Sequence, residues 1–137
     1  MTKLFLDTNV LLYANDSRDP IKQSVALERI HEAIKTGTGV ISTQVVQEFA
    51  AAAVEKLGLQ IDVVLHELLL LESLEVVQVT PALVRRSLEL RARYGVSFWD
   101  AGILAAAEKA NCGVLLSEDL NPGQLYAAVR VENPFAG

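Results

Sequence analysis

Short apolar runs alternate with long helical stretches along this chain, and that alternation constrains the fold more than any other feature. The runs are Leu4 to Leu6, Val40 to Ser42, Val76 to Val79, Val114 to Ser117 and Val129 to Val131. They are too short for helices and apolar on consecutive residues, which fits strands covered on both faces. Strands separated by helices predict an α/β domain with a mainly parallel sheet. Asp19-Pro20 and Thr80-Pro81 each place proline at the start of a helix, and Gly58, Gly95 and Gly113 stand where helix ends call for a left-handed residue. No repeat, low-complexity segment or linker interrupts the 137 residues, so a single domain is expected over 1–137.

Helical periodicity separates two acids from the rest. From Gln44 to Leu57, residues Val45, Val46, Phe49, Ala50, Ala53, Val54 and Leu57 form one stripe, with Glu48 roughly opposite its centre. From Phe98 to Asn111, Asp100 falls at about the angle of Ala107, between Ile103 and Leu104, so this carboxylate lies inside an apolar stripe. The run Ile61 to Leu74 is more strongly apolar, and predicts either a helix packed on two sides or a surface that a partner covers. Phe98 and Trp99, at the start of a buried helix, are expected as core anchors rather than as stacking surfaces for a base.

Composition removes several chemistries. No apolar run approaches the ~20 residues of a membrane span. Lys3 is followed only by Leu4-Phe5-Leu6 before Asp7, which does not fit a signal peptide, so a soluble cytoplasmic protein is expected. Cys112 is the one cysteine, so neither an internal disulfide nor a cysteine zinc site can form. His31 and His66 both lie within predicted helices, away from the strand ends. The net charge of −5 argues against gripping nucleic acid through overall charge.

In an open parallel sheet, ligands gather beyond the carboxyl ends of the strands. Four segments each bring an acid there: Asp7 after the first strand, Glu48 early in the helix after the second, Asp100 in the first turn of the helix before the fourth, and Asp119 just past that strand. Each has a plainer explanation. Asp7-Thr8-Asn9 suits a cap or turn, Glu48 a solvated helix face, Ser97-Phe98-Trp99-Asp100 a capping box, and Glu118-Asp119 the loop before Asn121-Pro122-Gly123. Their shared placement favours a joint role, with Thr8, Asn9 and Ser117 as small polar neighbours able to orient them. Carboxylates gathered in one cleft repel each other unless protonated or neutralised, and Mg²⁺ or Mn²⁺ with oxygen ligands is the usual remedy. Such ions activate water and polarise phosphodiesters without histidine.

Four stretches carry a resemblance: Phe5-Leu6-Asp7-Thr8-Asn9-Val10-Leu11-Leu12-Tyr13-Ala14, Ser42-Thr43-Gln44-Val45-Val46-Gln47-Glu48-Phe49, Ser97-Phe98-Trp99-Asp100-Ala101 and Leu115-Leu116-Ser117-Glu118-Asp119-Leu120. In order and spacing the chain resembles the PIN-domain nucleases, and most of all the VapC-type toxins of toxin-antitoxin pairs. The resemblance implies a three-layer α/β/α sandwich with a five-stranded, mainly parallel sheet and an endoribonuclease that uses Mg²⁺ or Mn²⁺. The metal ligands it implies are Asp7, Glu48, Asp100 and Asp119, with Thr8, Asn9 and Ser117 around them. Glu118 occupies a variable position, and Asp119 is favoured over it as the ligand. The resemblance also implies an RNA substrate, a homodimer and a cognate antitoxin.

Two other functions fit parts of the pattern. Asp7 after the first strand suits an aspartyl-phosphate phosphatase of the haloacid-dehalogenase kind, but that chemistry wants an aspartate two residues on, where Asn9 stands. A non-catalytic binding module would use the acids as caps or to accept a basic partner. Arg85, Arg86, Arg91 and Arg93 could meet phosphates, although a solvated helix face with Arg85 paired to Glu89 is the preferred reading.

Overall fold

The first apolar run becomes the middle of the sheet because it buries both faces: Phe5 and Leu6 are wholly inaccessible. The computed structural model describes residues 1–136. In chain order it forms β1 (Leu4–Leu6), α1 (Thr8–Ala14), α2 (Pro20–Thr36), β2 (Gly39–Ser42), α3 (Thr43–Glu55), α4 (Ile61–Leu71), β3 (Glu75–Val77), α5 (Pro81–Tyr94), α6 (Phe98–Lys109), β4 (Val114–Leu116), β5 (Leu125–Tyr126) and β6 (Val129–Glu132).

The sheet order is β3-β2-β1-β4-β6-β5. Phe5 pairs with Val40 on one side and Leu115 on the other, both in parallel register. Five strands are parallel, and β5 runs antiparallel at the edge through Leu125 opposite Arg130 and Tyr126 opposite Val129. The sheet thus has six strands where five were expected. The chain moves outward from β1 to β3 through α1 to α4 and returns through α5 and α6 to β4 on the other side of β1; with the right-handed crossovers that parallel strands favour, this puts helices on both faces of the sheet. Strand order therefore reverses between β1 and β4, and that is where an open sheet forms its crevice.

Side-chain caps start α2 and α5 where the sequence placed them, and a further one at Ser42 starts α3. Asp19 accepts from Lys22 N at 3.1 Å, Ser42 from Val45 N at 3.3 Å, and Thr80 from Leu83 N at 3.2 Å. Gly95 ends α5 with φ +69°, but after α6 it is Asn111, at φ +59°, that takes the left-handed turn assigned to Gly113. Gly113 itself is not left-handed, and a Cβ there would meet only the end of the exposed Thr2 side chain, at 2.9 Å.

Two expectations about packing are corrected. α4 buries Val64 and Leu71 but leaves Ile61, Val63, Leu65, Leu69 and Leu70 exposed, because it lies outside α3 and packs on one side only. Arg85 does not pair with Glu89. Its neighbour Arg86 lies 3.7 Å from Glu89 and makes a two-pronged contact with Glu108 of α6, at 2.7 and 2.9 Å. That contact pins α5 to α6. Among the described residues no helix is long and apolar enough to cross a membrane.

Phe49 is 1% exposed and joins α3, the helix that carries Glu48, to the core. Phe49→Ala should lower unfolding free energy by about 3–5 kcal/mol, measured by urea denaturation. A loss below about 1 kcal/mol would show that this face of α3 tolerates a cavity.

An acidic cavity where the strand order reverses

The crevice between the ends of β1 and β4 is closed by a bond between side chains. Asp7 N donates to Leu116 O at 3.0 Å, continuing the pairing of β1 with β4 one residue past the strands. Ser117 Oγ then donates to Asp7 Oδ2 at 2.8 Å, and Thr8 N donates to Oδ1 at 2.7 Å. Asp7 is 5% exposed and Ser117 is wholly buried. Asp7 does cap α1, so its plainer role is real, yet capping alone does not call for burial at a sheet end.

The four acids from four segments line one cavity of about 540 Å³, together with Thr8, Asn9, Leu12, Glu55, Lys56, Trp99 and Ile103. The small polar residues hold them in place one by one. Thr8 Oγ1 donates to Glu48 Oε1 at 2.8 Å, Asn9 Nδ2 donates to Asp119 Oδ2 at 3.0 Å, and Ser117 Oγ, besides donating to Asp7, accepts from Asp119 N at 3.1 Å. At Asp100 the amide donates to Ser97 Oγ at 3.0 Å, which is the capping half of the expected box. Glu48, opposite the centre of its apolar stripe, looks into this cavity rather than into open solvent.

Burial, with the charges of nearby acids, leaves Asp7 and Asp100 reluctant to ionise. Burial pushes the Asp7 carboxyl up to about 7, against the hydrogen bonds from Ser117 and Thr8, and the charges of Asp119 and Glu48 add to the rise. Asp100 is also raised, by burial first and then by Asp119 and Glu48, with Ser97 opposing.

Glu118 and Asp119 point to different places. Tyr13 Oη donates to Glu118 Oε1 at 2.7 Å and Lys22 Nζ reaches Oε2 at 2.7 Å, so Glu118 is turned away and only Asp119 lines the acidic cavity. Tyr13 stacks edge to face on Phe135 with centroids 4.9 Å apart, so this clamp also ties down the end of the chain. Gln44 went unnoticed in the sequence. It is 9% exposed and donates Nε2 to Trp99 O at 3.0 Å and to Glu48 Oε2 at 3.5 Å, while its Oε1 lies 2.5 Å from where a Cβ on Gly102 would stand. Its spacing four residues before Glu48 was the available signal. Trp99, expected in the core, is 63% exposed at the cavity rim. Arg85, Arg86, Arg91 and Arg93 do not line the cavity. Arg91 reaches Val96 O at 3.1 Å and Arg93 stacks on Tyr94 with the guanidinium 5.0 Å from the ring centre.

The family profile described as PIN domain matches residues 4–127. The chain belongs to the PIN-domain family. Solved structures agree in fold. DNA-bound VapBC from Salmonella typhimurium aligns with TM-score 0.71 at 19% identity, covering 98% of this chain and 99% of that one. VapC20 of Mycobacterium tuberculosis, described as a toxin that cleaves the sarcin-ricin loop, gives TM-score 0.69 at 21% identity over 85% and 92%. FitAcB from Neisseria gonorrhoeae gives 0.67 at 19% over 96% and 98%. No curated protein sequence matches the chain significantly.

The donor set of this PIN domain fits a hard divalent cation. It is all oxygen, the charges of Glu48 and Asp119 raise Asp7 and Asp100, and Asn9 Oδ1 is buried beside it with no hydrogen-bond partner. Among the described residues no three acids converge closely enough to enclose an ion as they stand, since Thr8 and Asn9 hold Glu48 and Asp119.

Asp7 makes the stability of this PIN domain depend on pH. Its carboxyl sits at about 7 in the native state against an ordinary 3.8, so between those values the unfolded chain releases the proton that the native chain keeps. Stability therefore falls as pH rises from about 4 to about 7 and stays lower above, by on the order of 4 kcal/mol at most. In metal-free buffer, Asp7→Asn should flatten this fall and melt higher than wild type at about pH 8. Identical melting curves across pH for the two proteins would refute it.

Proposed function

We propose that the protein is a metal-dependent endoribonuclease and the toxin of a type II toxin-antitoxin pair. The observation that carries this reading is the convergence of Asp7, Glu48, Asp100 and Asp119, from four segments, on one cavity at the reversal of strand order. Membership of the PIN-domain family supports the nuclease, and the likeness to VapBC and toxin-antitoxin structures supports the antitoxin partner. RNA as substrate is favoured by the similar structure of VapC20, which is named for cleaving the sarcin-ricin loop. The homodimer and the cytoplasmic location follow from the same family reading, as does a single PIN domain over 1–137.

Asp7 and Asp100, with Glu48 and Asp119, would hold Mg²⁺ or Mn²⁺. When bound, the cation would supply positive charge for activating water and stabilising the leaving oxygen. The chain's own residues do the rest. Ser117 and Thr8 keep the Asp7 carboxylate oriented, Asn9 and Ser117 fix Asp119, and Gln44 and Thr8 bracket Glu48. No histidine lines the cavity, so proton transfer falls to carboxylates and solvent. Hydrolysis would leave a 5′-phosphate and a 3′-hydroxyl. The phosphatase alternative is disfavoured because Asn9, the residue it needs as an aspartate, is bonded to Asp119.

The purified protein should cut single-stranded RNA with Mg²⁺ or Mn²⁺ and stop in EDTA. Asp100→Asn should slow cutting on the order of 100-fold or more, beyond the 10- to 100-fold typical for losing a residue that merely supports a ligand. Cleavage that persists in EDTA would refute the mechanism. No cleavage, together with melting that ignores added metal, would point to a binding module.

A further inference from the structure

Trp99 is the most apolar commitment the site makes to solvent. It is 63% exposed at the rim of the acidic cavity, one residue before Asp100. Its backbone and one edge of the ring are held. Gln44 holds the Trp99 carbonyl at 3.0 Å, and Phe98 stacks edge to face against the indole with centroids 5.0 Å apart. A side chain so anchored has already lost much of its freedom, which lowers the entropic cost of binding against it.

The charge of the cavity decides what can bind there. Its lining includes five carboxylates, Asp7, Glu48, Glu55, Asp100 and Asp119, and one cation, Lys56. A strand of phosphates approaching that lining is repelled wherever no metal ion intervenes, so affinity has to come from a group insensitive to charge. An indole face is such a group, and every base offers a π-face to it. Lys56 lies twelve residues along α3 from Gln44, roughly 18 Å at the helical rise, and also lines a neighbouring cavity of about 200 Å³ with Arg18. The backbone of Lys56 thus stands well apart from the Gln44 contact that holds the Trp99 carbonyl, although both residues line the one cavity.

We propose that Trp99 is the stacking platform for an unpaired base of the strand whose phosphodiester enters the acidic cavity, with Lys56 meeting a phosphate at the far end. This rests on the nuclease reading above and adds to it a requirement for a single-stranded segment at the cut. The base is recognised by stacking rather than by its edge, so the platform tolerates any base.

Trp99 is the only tryptophan in the chain, so intrinsic fluorescence reports on this position alone. Titration with a single-stranded 12-mer oligoadenylate in Ca²⁺ buffer should quench it saturably, and an abasic strand of the same length and charge should not. Trp99→Ala should raise the Kd for the labelled 12-mer about tenfold or more, and Trp99→Phe should recover most of the loss. In cleavage, Trp99→Ala should raise KM with kcat little changed. Its melting temperature should match wild type, since the ring is exposed.

Equal quenching by the abasic strand, or an unchanged Kd in Trp99→Ala, would overturn the proposal. So would a change in self-association of Trp99→Ala by sedimentation with strand affinity intact, which would assign the ring to a protein partner. Base-dependent quenching without any cleavage would uphold the platform and overturn the nuclease. Metal-dependent cleavage with unchanged KM in Trp99→Ala would do the reverse.

Discussion

A carboxylate buried at the carboxyl end of the central strand is the constraint on which the rest of this structure depends. Asp7 follows two wholly buried residues and is itself nearly inaccessible. Burying a carboxyl group is costly in either protonation state unless its hydrogen bonds are met. Ser117 from the end of β4 and Thr8 from the start of α1 meet them. That need explains the local design. A hydroxyl must stand directly after β4, β4 must lie beside β1, and the chain must therefore return across the sheet before β4 begins.

The return path then sets the neighbours. Because α6 precedes β4, its first turn arrives at the same sheet end with Asp100 and Trp99, and α3 arrives with Gln44 and Glu48. Gln44 bridges the two helices, and Gly102 leaves the room for it, since any Cβ there would meet its amide oxygen. A helix that is a core element along Ala101 to Ala107 is thus a site element at its first turn. The same division appears in α3, where Phe49 is core and Glu48, beside it in sequence, faces the cavity.

What the sequence disclosed follows the range of the interactions involved. All five expected strands begin within a residue of those observed, because burial on both faces writes itself as an unbroken apolar run. The grouping of Asp7, Glu48, Asp100 and Asp119 was legible because parallel strands send all their carboxyl ends to one edge. The two-residue β5 was not, since its turn at Ala127-Ala128 carries no glycine or asparagine even though Ala127 is left-handed at φ +53°. Arg86 was misjudged because its partner Glu108 lies on another helix, and helical spacing sees only partners on its own. Trp99 and the two-sided packing expected of α4 depart from the structure for a shared reason. Apolar character predicts that a surface will be covered, but not whether the chain itself or something else covers it.

The excess of acids takes a different meaning once their places are known. Of a net charge of −5, setting aside the four convergent acids would leave −1, and a fifth acid, Glu55, lines the same cavity. Five of the twelve basic residues are meanwhile paired with acids: Lys3 with Glu75, Arg86 with Glu108 between α5 and α6, Lys22 with Glu118, Arg18 with Asp16, and Arg29 with Glu132. Each such pair is worth little alone at a surface. Together they withdraw five of the twelve cations from the surface, and the acidic cavity itself keeps only Lys56 among its lining. A polyanionic ligand would have to be held by charge brought to the carboxylates and by contacts indifferent to charge. A neutral aromatic beside an acid cluster satisfies the second condition, whereas a ring of arginines there would neutralise the very carboxylates that a cation needs.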